Sequence, residues 1–117
     1  MTIKNQNFSM YAGETKEIKA TITKEDGTSL DLTGAKLVWS LRKGELSSVN
    51  ILTKTTAGGS ITTAGNVATI KLSSVDTKEL VGADFFHELW AEDQTGNDSA
   101  LFMGKAKILF SSVKGVE

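Results

Sequence analysis

Apolar and polar residues alternate along much of the chain, a pattern that predicts strands with one buried face. In "TKEIKATI", Ile18 and Ile22 share one face with the intervening alanine, whereas charged and polar residues share the other. In "AKLVWSLRK", Leu37, Trp39 and Leu41 alternate with polar residues, and Val38 is the one apolar exception. These two segments are predicted to be core strands.

Glycine-containing turns separate the predicted strands. Asp26-Gly27 and Thr33-Gly34 are expected to bend the chain between the two core strands, because glycine accepts the positive φ of tight turns. The turn Ala64-Gly65-Asn66 leads into "NVATIKL", which is predicted to pair with "ILTKTT" or "SITT". The last two predicted strands, "DFFHELWAED" and "SALFMGKAKILFSS", flank "QTGND", a connection typical of a hairpin.

The number and spacing of these strands predict an all-β fold. About seven or eight short strands, with turn signals roughly every 8–12 residues, are typical of an immunoglobulin-like antiparallel β-sandwich. A small closed barrel alternates in the same way and stays open as an alternative. One short helical turn is predicted in "SSVDTKEL", where Ser73 or Ser74 caps the first turn. The length of 117 residues fits a single domain spanning residues 1–117.

Charge and composition exclude several classes of partner. The 13 basic and 14 acidic residues are spread through the chain, so no basic stripe predicts a nucleic-acid partner. The chain has no cysteine, which excludes disulfides and thiolate metal sites. The N-terminal residues lack the pattern of a signal peptide, and no apolar run approaches the roughly 20 residues of a membrane span. We expect a protein made in the cytoplasm, with no membrane partner.

The single histidine, His87, is the residue most suggestive of catalysis. Its phase matches Phe85 and Leu89, which predicts that it points toward the core. A general base or a metal ligand is one interpretation, and a buried histidine hydrogen-bonded to a neighbour is the favoured one. No nucleophile motif accompanies His87, and the sequence therefore predicts no enzymatic activity and no cofactor.

Two groups of acidic residues come near the spacing of cation-binding loops: Glu25, Asp26 and Asp31 in one, and Glu92, Asp93 and Asp98 in the other. The first lacks the ligand pattern and the flanking helices of an EF-hand. The second surrounds a turn, where aspartate and asparagine are favoured for backbone reasons. No metal site is predicted.

Apolar residues in the opposite phase of the last two strands predict an interaction surface. If His87 faces the core, then Phe86 and Trp90 face outward, and Leu101 and Met103 are out of phase with the core residues of the final strand. Exposed aromatic residues beside charged ones often mark a protein interface. The alternative is that these strands are covered on both faces.

Several sequence elements together resemble a known family. They are Gly13-Glu14-Thr15 before the first core strand, Asp26-Gly27 followed by Asp31–Ala35, the capped turn within Leu72–Leu80, and the aromatic-Glu-Leu strand that precedes a Gly-Asn turn. In these elements the chain resembles small immunoglobulin-like proteins of phages and prophages. It is similar to the N-terminal domain of siphophage baseplate upper proteins from about Tyr11 onward.

The resemblance implies a non-enzymatic virion structural or assembly protein. Such a protein is an interaction module in the tail, the baseplate or fibre attachment, with other virion proteins and further copies of itself as partners. Its expected location is the virion. A capsid decoration protein is an alternative within this class. A carbohydrate-binding module of a cell-surface adhesion apparatus is an alternative from another class, because exposed aromatics beside polar side chains also bind sugars.

Overall fold

The computed structural model describes residues 7–23, 27–43, 50–78, 80, 83–92, 96 and 98–109. The secondary-structure elements are β1 Phe8–Tyr11, β2 Lys16–Thr21, β3 Lys36–Arg42, β4 Asn50–Thr55, β5 Ile61–Ala64, β6 Val67–Leu72, α1 Ser74–Thr77, β7 Ala83–Glu92 and β8 Asp98–Leu109. The predicted all-β fold of about eight strands with one short helix is confirmed.

The strands form a five-stranded sheet in the order β1-β8-β7-β3-β4 and a three-stranded sheet in the order β2-β6-β5. Two such sheets form an immunoglobulin-like sandwich, with a division that differs from the four and three strands of a constant-type immunoglobulin domain. Paired strands are antiparallel, as predicted for the sandwich, except β1 and β8, which pair in parallel. The predicted pairing of "NVATIKL" with "SITT" corresponds to β6 and β5.

The core lies between the two sheets. Ile18 and Ile70 from the smaller sheet and Trp39 and Leu89 from the larger one belong to a single cluster of buried apolar residues. Among the strands that the structure describes, no ladder joins one sheet to the other. The fold is therefore a sandwich, and the alternative of a closed barrel is not supported.

The connection between β2 and β3 is a compact turn region. A bridge between Thr23 and Ser29 closes its first part, and the N–H of Leu30 donates a hydrogen bond to the carbonyl of Ile22 at 3.1 Å. Gly34 has a φ of 77°, as expected for the second predicted bend. Leu32 is buried and anchors this connection to the core.

The helix α1 connects the two sheets. Ser73 is its N-cap residue, and the N–H of Ser73 donates to Oδ2 of Asp76 at 2.7 Å. Nζ of Lys54, from β4 in the five-stranded sheet, lies 2.9 Å from the same carboxylate oxygen. The helix is thus held against an edge strand of the larger sheet, and the prediction of a serine cap is confirmed.

A β-bulge in β8 changes the orientation of Leu101. Leu89 lies opposite Phe102 and Trp90 lies opposite Ala100, so Leu101 is an extra residue between two paired positions. A bulge places consecutive side chains on the same side of a sheet, and Leu101 and Phe102 are accordingly 2% and 0% exposed. The expectation that Leu101 faces outward with Met103 is wrong, because the bulge shifts the phase of the strand.

Candidate functional site

The larger sheet has one side that faces away from the smaller sheet, and we call this side the outer face. Its centre consists of every second residue of β3 and β7, because side chains of a strand point to opposite faces in turn. All of these residues are at least partly exposed except Ser40, which is 7% exposed. Cross-strand pairing arranges them in rows: Lys36 with Glu92, Val38 with Trp90, Ser40 with Glu88, and Arg42 with Phe86.

An apolar pair lies at the centre of this surface. Val38 and Trp90 are direct cross-strand partners, and each is 43% exposed. Neighbouring large apolar side chains exposed to this extent are a feature of interaction surfaces. On the flanking strands, Ala100 continues this row in β8 and Thr55 continues it in β4.

The other predicted interface residues on this face are less exposed. Phe86 and Met103 are half-buried, and Met103 lies opposite Glu88 in the pairing of β7 with β8. The structure thus brings Phe86, Trp90 and Met103 together on the outer face, whereas Leu101 lies in the core. It also adds Val38, which appeared in the sequence only as an apolar exception within a core strand.

An ion pair crosses the outer face diagonally. Nη1 of Arg42 donates to Oε1 of Glu88, and both side chains are largely buried, with exposed fractions of 19% and 15%. Charge-assisted hydrogen bonds of this kind fix the position of both groups. Along this side of β7, Glu88 lies between Phe86 and Trp90.

His87 lies on the opposite side of β7, within the core. It is 1% exposed, and its Nδ1 accepts a hydrogen bond from the indole N–H of Trp39 at 3.0 Å. Phe8 packs edge-on against the imidazole, with ring centroids 4.8 Å apart. The favoured interpretation, a buried histidine hydrogen-bonded to a neighbour, is confirmed.

The Trp39–His87 pair occupies a characteristic place in the fold. In antibody domains, a buried tryptophan on the corresponding strand packs against a disulfide that links the two sheets. This chain has no cysteine, and here the tryptophan is paired with a histidine of the adjacent strand β7. The two residues therefore order the centre of the core without a covalent link.

The acidic residues that the structure describes do not form a metal centre. No group of three or more histidine, aspartate or glutamate side chains in this part of the chain is placed to hold an ion. Oδ1 of Asp31 accepts hydrogen bonds from the hydroxyl and the N–H of Thr33, and these two bonds lower the pKa of Asp31. Asp31 is thus a turn residue. Glu25, Asp26 and Asp93 lie outside the described residues.

Comparison of the sequence with protein families and curated proteins identifies no relative. The sequence matches no protein-family model and no curated protein. In the described part of the chain, no helix has the length and apolar character needed to cross a membrane. A functional assignment therefore rests on the fold, the outer face and the sequence resemblance.

Proposed function

We propose that the chain is a non-enzymatic structural or assembly protein of a phage or prophage virion. It acts as an interaction module in the tail, the baseplate or fibre attachment, and it binds other virion proteins through the outer face. The observation that carries the binding role is the exposed pair of Val38 and Trp90 at the centre of that face. The assignment to a virion comes from the sequence resemblance.

The composition of the outer face supports a protein partner. Tryptophan is enriched among the residues that dominate binding at protein interfaces, and Trp90 is exposed at the centre of this face. Covering the exposed part of Trp90, roughly 100 Å² of a side chain of up to about 250 Å², contributes about 2 to 3 kcal/mol to association. The surrounding charges of Lys36 and Glu92 provide a polar rim.

The test compares two exposed apolar residues in phage particles. A Trp90→Ser variant removes the centre of the outer face, whereas Val75→Ser changes a valine on α1 that is 79% exposed. Particles produced with each variant are purified on density gradients, and the chain is quantified in them by mass spectrometry. We expect Val75→Ser to be incorporated like the unmodified chain and Trp90→Ser to be reduced at least tenfold.

The same particles distinguish the proposed location from its alternatives. Separated tails that contain the chain at a fixed ratio to baseplate proteins support the proposal, whereas its recovery with capsids indicates a decoration protein. Complete absence of the unmodified chain from particles contradicts a virion role. Glycan-array binding that is lost in Trp90→Ser indicates the carbohydrate-binding alternative.

Neighbouring genes provide an independent indication of location. Genes for tape-measure and baseplate proteins indicate the tail, whereas genes for portal and capsid proteins indicate decoration of the capsid.

A further inference from the structure

We propose that the outer face binds the outer face of a second copy of this chain, through a two-fold axis that runs parallel to β3 and β7 and lies between them. This inference rests on the proposed function, because both treat the outer face as an interaction surface. It adds the identity of one partner and the geometry of the contact.

Two-fold symmetry requires the surface to be complementary to itself. In an isologous interface each contact occurs twice, so that residue i meets residue j of the partner and residue j meets residue i. An axis parallel to the strands preserves the rows of the outer face and exchanges the strands. Each residue of β3 then meets the β7 residue of the same row in the second copy.

The two rows nearest one end of the face are complementary to themselves about this axis. Lys36 and Glu92 share a row, and the axis places each lysine against the glutamate of the other copy. Val38 and Trp90 share the next row, and each valine then meets the exposed indole of the other copy. The first row contributes two pairs of opposite charges, and the second contributes the apolar centre.

The remaining two rows contribute less. Ser40 is only 7% exposed, and Arg42 and Glu88 are largely buried in an ion pair with each other. Phe86, the partner of Arg42 in the last row, is half-buried. The self-complementarity of the outer face therefore rests on its first two rows, although β3 and β7 have unrelated sequences.

The other simple arrangement is much less favourable. A two-fold axis that runs across the strands preserves each strand and reverses the order of the rows. Lys36 then meets Arg42 of the second copy, and Glu92 meets Phe86, so neither charge of the first row faces an opposite charge. Like charges opposed in an interface are destabilising, and the charge pattern therefore selects the axis parallel to the strands.

The size of the face indicates a weak dimer. Four strands about 4.8 Å apart, with seven residues rising about 3.3 Å each, give a surface of roughly 20 Å in each direction. The resulting area of about 400 Å² is smaller than the roughly 800 Å² per partner of a standard interface. We expect a reversible dimer that forms at high concentration, as when copies are held together in a larger assembly.

The experiment uses charge reversal at Lys36 and Glu92. Lys36→Glu places carboxylates at both ends of the first row, and Glu92→Lys places amines at both ends, so each variant repels itself. An equimolar mixture of the two restores opposite charges at both contacts of a mixed dimer. The double variant Lys36→Glu with Glu92→Lys restores them in a dimer of one chain.

Sedimentation velocity over a concentration series gives the outcome. We expect the unmodified chain and the double variant to dimerise, each single variant to bind itself at least tenfold more weakly, and the mixture to dimerise like the unmodified chain. Circular dichroism melting shows whether every variant is folded, so that loss of dimer is not mistaken for unfolding. A mixture that stays monomeric, or single variants that dimerise unchanged, overturns the proposed geometry.

The two proposals fail in different ways. An unmodified chain that is monomeric at every concentration overturns the dimer, whereas the reduced incorporation of Trp90→Ser into particles still supports the proposed function. Conversely, normal incorporation of Trp90→Ser contradicts the role of the outer face in the virion. In that case, dimerisation of the charge-reversed mixture still supports the symmetric pairing.

Discussion

At the scale of single residues, the core depends on one polar contact. The indole N–H of Trp39 is fully buried and needs an acceptor, because an unsatisfied buried donor costs about 1 to 3 kcal/mol. Nδ1 of His87 provides that acceptor at 3.0 Å. The contact orients both rings, and Phe102 packs against the same imidazole, with ring centroids 5.3 Å apart.

Replacing Trp39 with phenylalanine tests the value of this contact. The change removes the N–H donor and leaves a cavity in the core, and we expect it to lower the free energy of unfolding by about 2 to 4 kcal/mol. Urea unfolding followed by circular dichroism measures the effect. Trp90→Phe is the matched control, because Trp90 is 43% exposed, and we expect less than about 0.5 kcal/mol. Equal losses in the two variants would contradict the assignment.

The sequence predicts the orientation of His87 but not its partner. Period-two alternation with Phe85 and Leu89 is sufficient to place His87 on the core side of its strand. The contact with Trp39 depends on the register of β3 against β7, in which Leu41 lies opposite His87 and Trp39 is its diagonal neighbour. This register is fixed only when the two strands pair. The alternation within one strand therefore does not predict it.

At the scale of elements, an ion pair connects the helix to the larger sheet. Burial raises the pKa of Asp76, but hydrogen bonds from Lys54 and Ser73 and the positive charge of Lys54 outweigh burial, so the pKa is lowered overall. The two side chains are largely buried, with exposed fractions of 15% for Lys54 and 14% for Asp76. This pair is therefore better shielded from solvent than an ordinary surface ion pair.

The lowered pKa of Asp76 predicts a pH dependence of stability. A carboxyl whose pKa is lower in the folded state stabilises the fold above its unfolded pKa of about 3.9, and this contribution disappears as the pH falls through the folded pKa. We expect Asp76→Asn to lower the free energy of unfolding by about 1 to 2 kcal/mol at neutral pH. The difference from the unmodified chain should shrink in acid below the unfolded pKa.

Denaturant unfolding at several pH values measures this difference. Glu17→Gln is the matched control, because the carboxylate of Glu17 lies 3.9 Å from Nζ of Lys71 and both side chains are substantially exposed. Exposed pairs of this type contribute little, and we expect almost no change in stability at any pH. A constant loss for Asp76→Asn across the acidic range would show that its carboxylate charge is not responsible.

The bulge in β8 gives a second prediction for an element. Leu101→Ala removes a buried side chain, and we expect it to lower the free energy of unfolding by about 2 to 5 kcal/mol. Met103→Ala, only two residues away but half-buried on the outer face, should cost less than about 1.5 kcal/mol. Thermal and urea unfolding compare the two. A larger loss for Met103→Ala would contradict the placement of Leu101 in the core.

Elements differ in how well the sequence predicts them. The strands β2, β3 and β7 each show a clear period of two, because one of their faces is buried and the other is polar or partly exposed. The strand β1 has only four residues, and its parallel pairing depends on β8 at the other end of the chain. The sequence does not predict the bulge. Apolar residues occupy both phases of "ALFM", so one extra residue does not visibly change the alternation of apolar and polar positions.

At the scale of the whole molecule, the outer face is a second organised surface in addition to the core. Its exposed residues Val38 and Trp90 are far apart in the sequence and become neighbours only when β3 pairs with β7. The sequence indicates Trp90 from its phase within one strand, but the row pattern requires the register between two strands. The self-complementarity of the face is therefore a property of the folded chain.

Self-association through this face predicts that thermal stability depends on protein concentration. Because a dimer contains only folded chains, association stabilises the folded state by mass action, by about 1.4 kcal/mol when the partner reaches ten times the dissociation constant. For a domain of this size, that corresponds to a rise in Tm of several degrees.

Differential scanning calorimetry of the unmodified chain over a range of protein concentrations should show the rise in Tm. Lys36→Glu should melt at a temperature independent of concentration, and the double variant with Glu92→Lys should recover the dependence. If the Tm of the unmodified chain does not change with concentration, the folded state gains no stability from a second copy, and the pairing of outer faces in solution is contradicted.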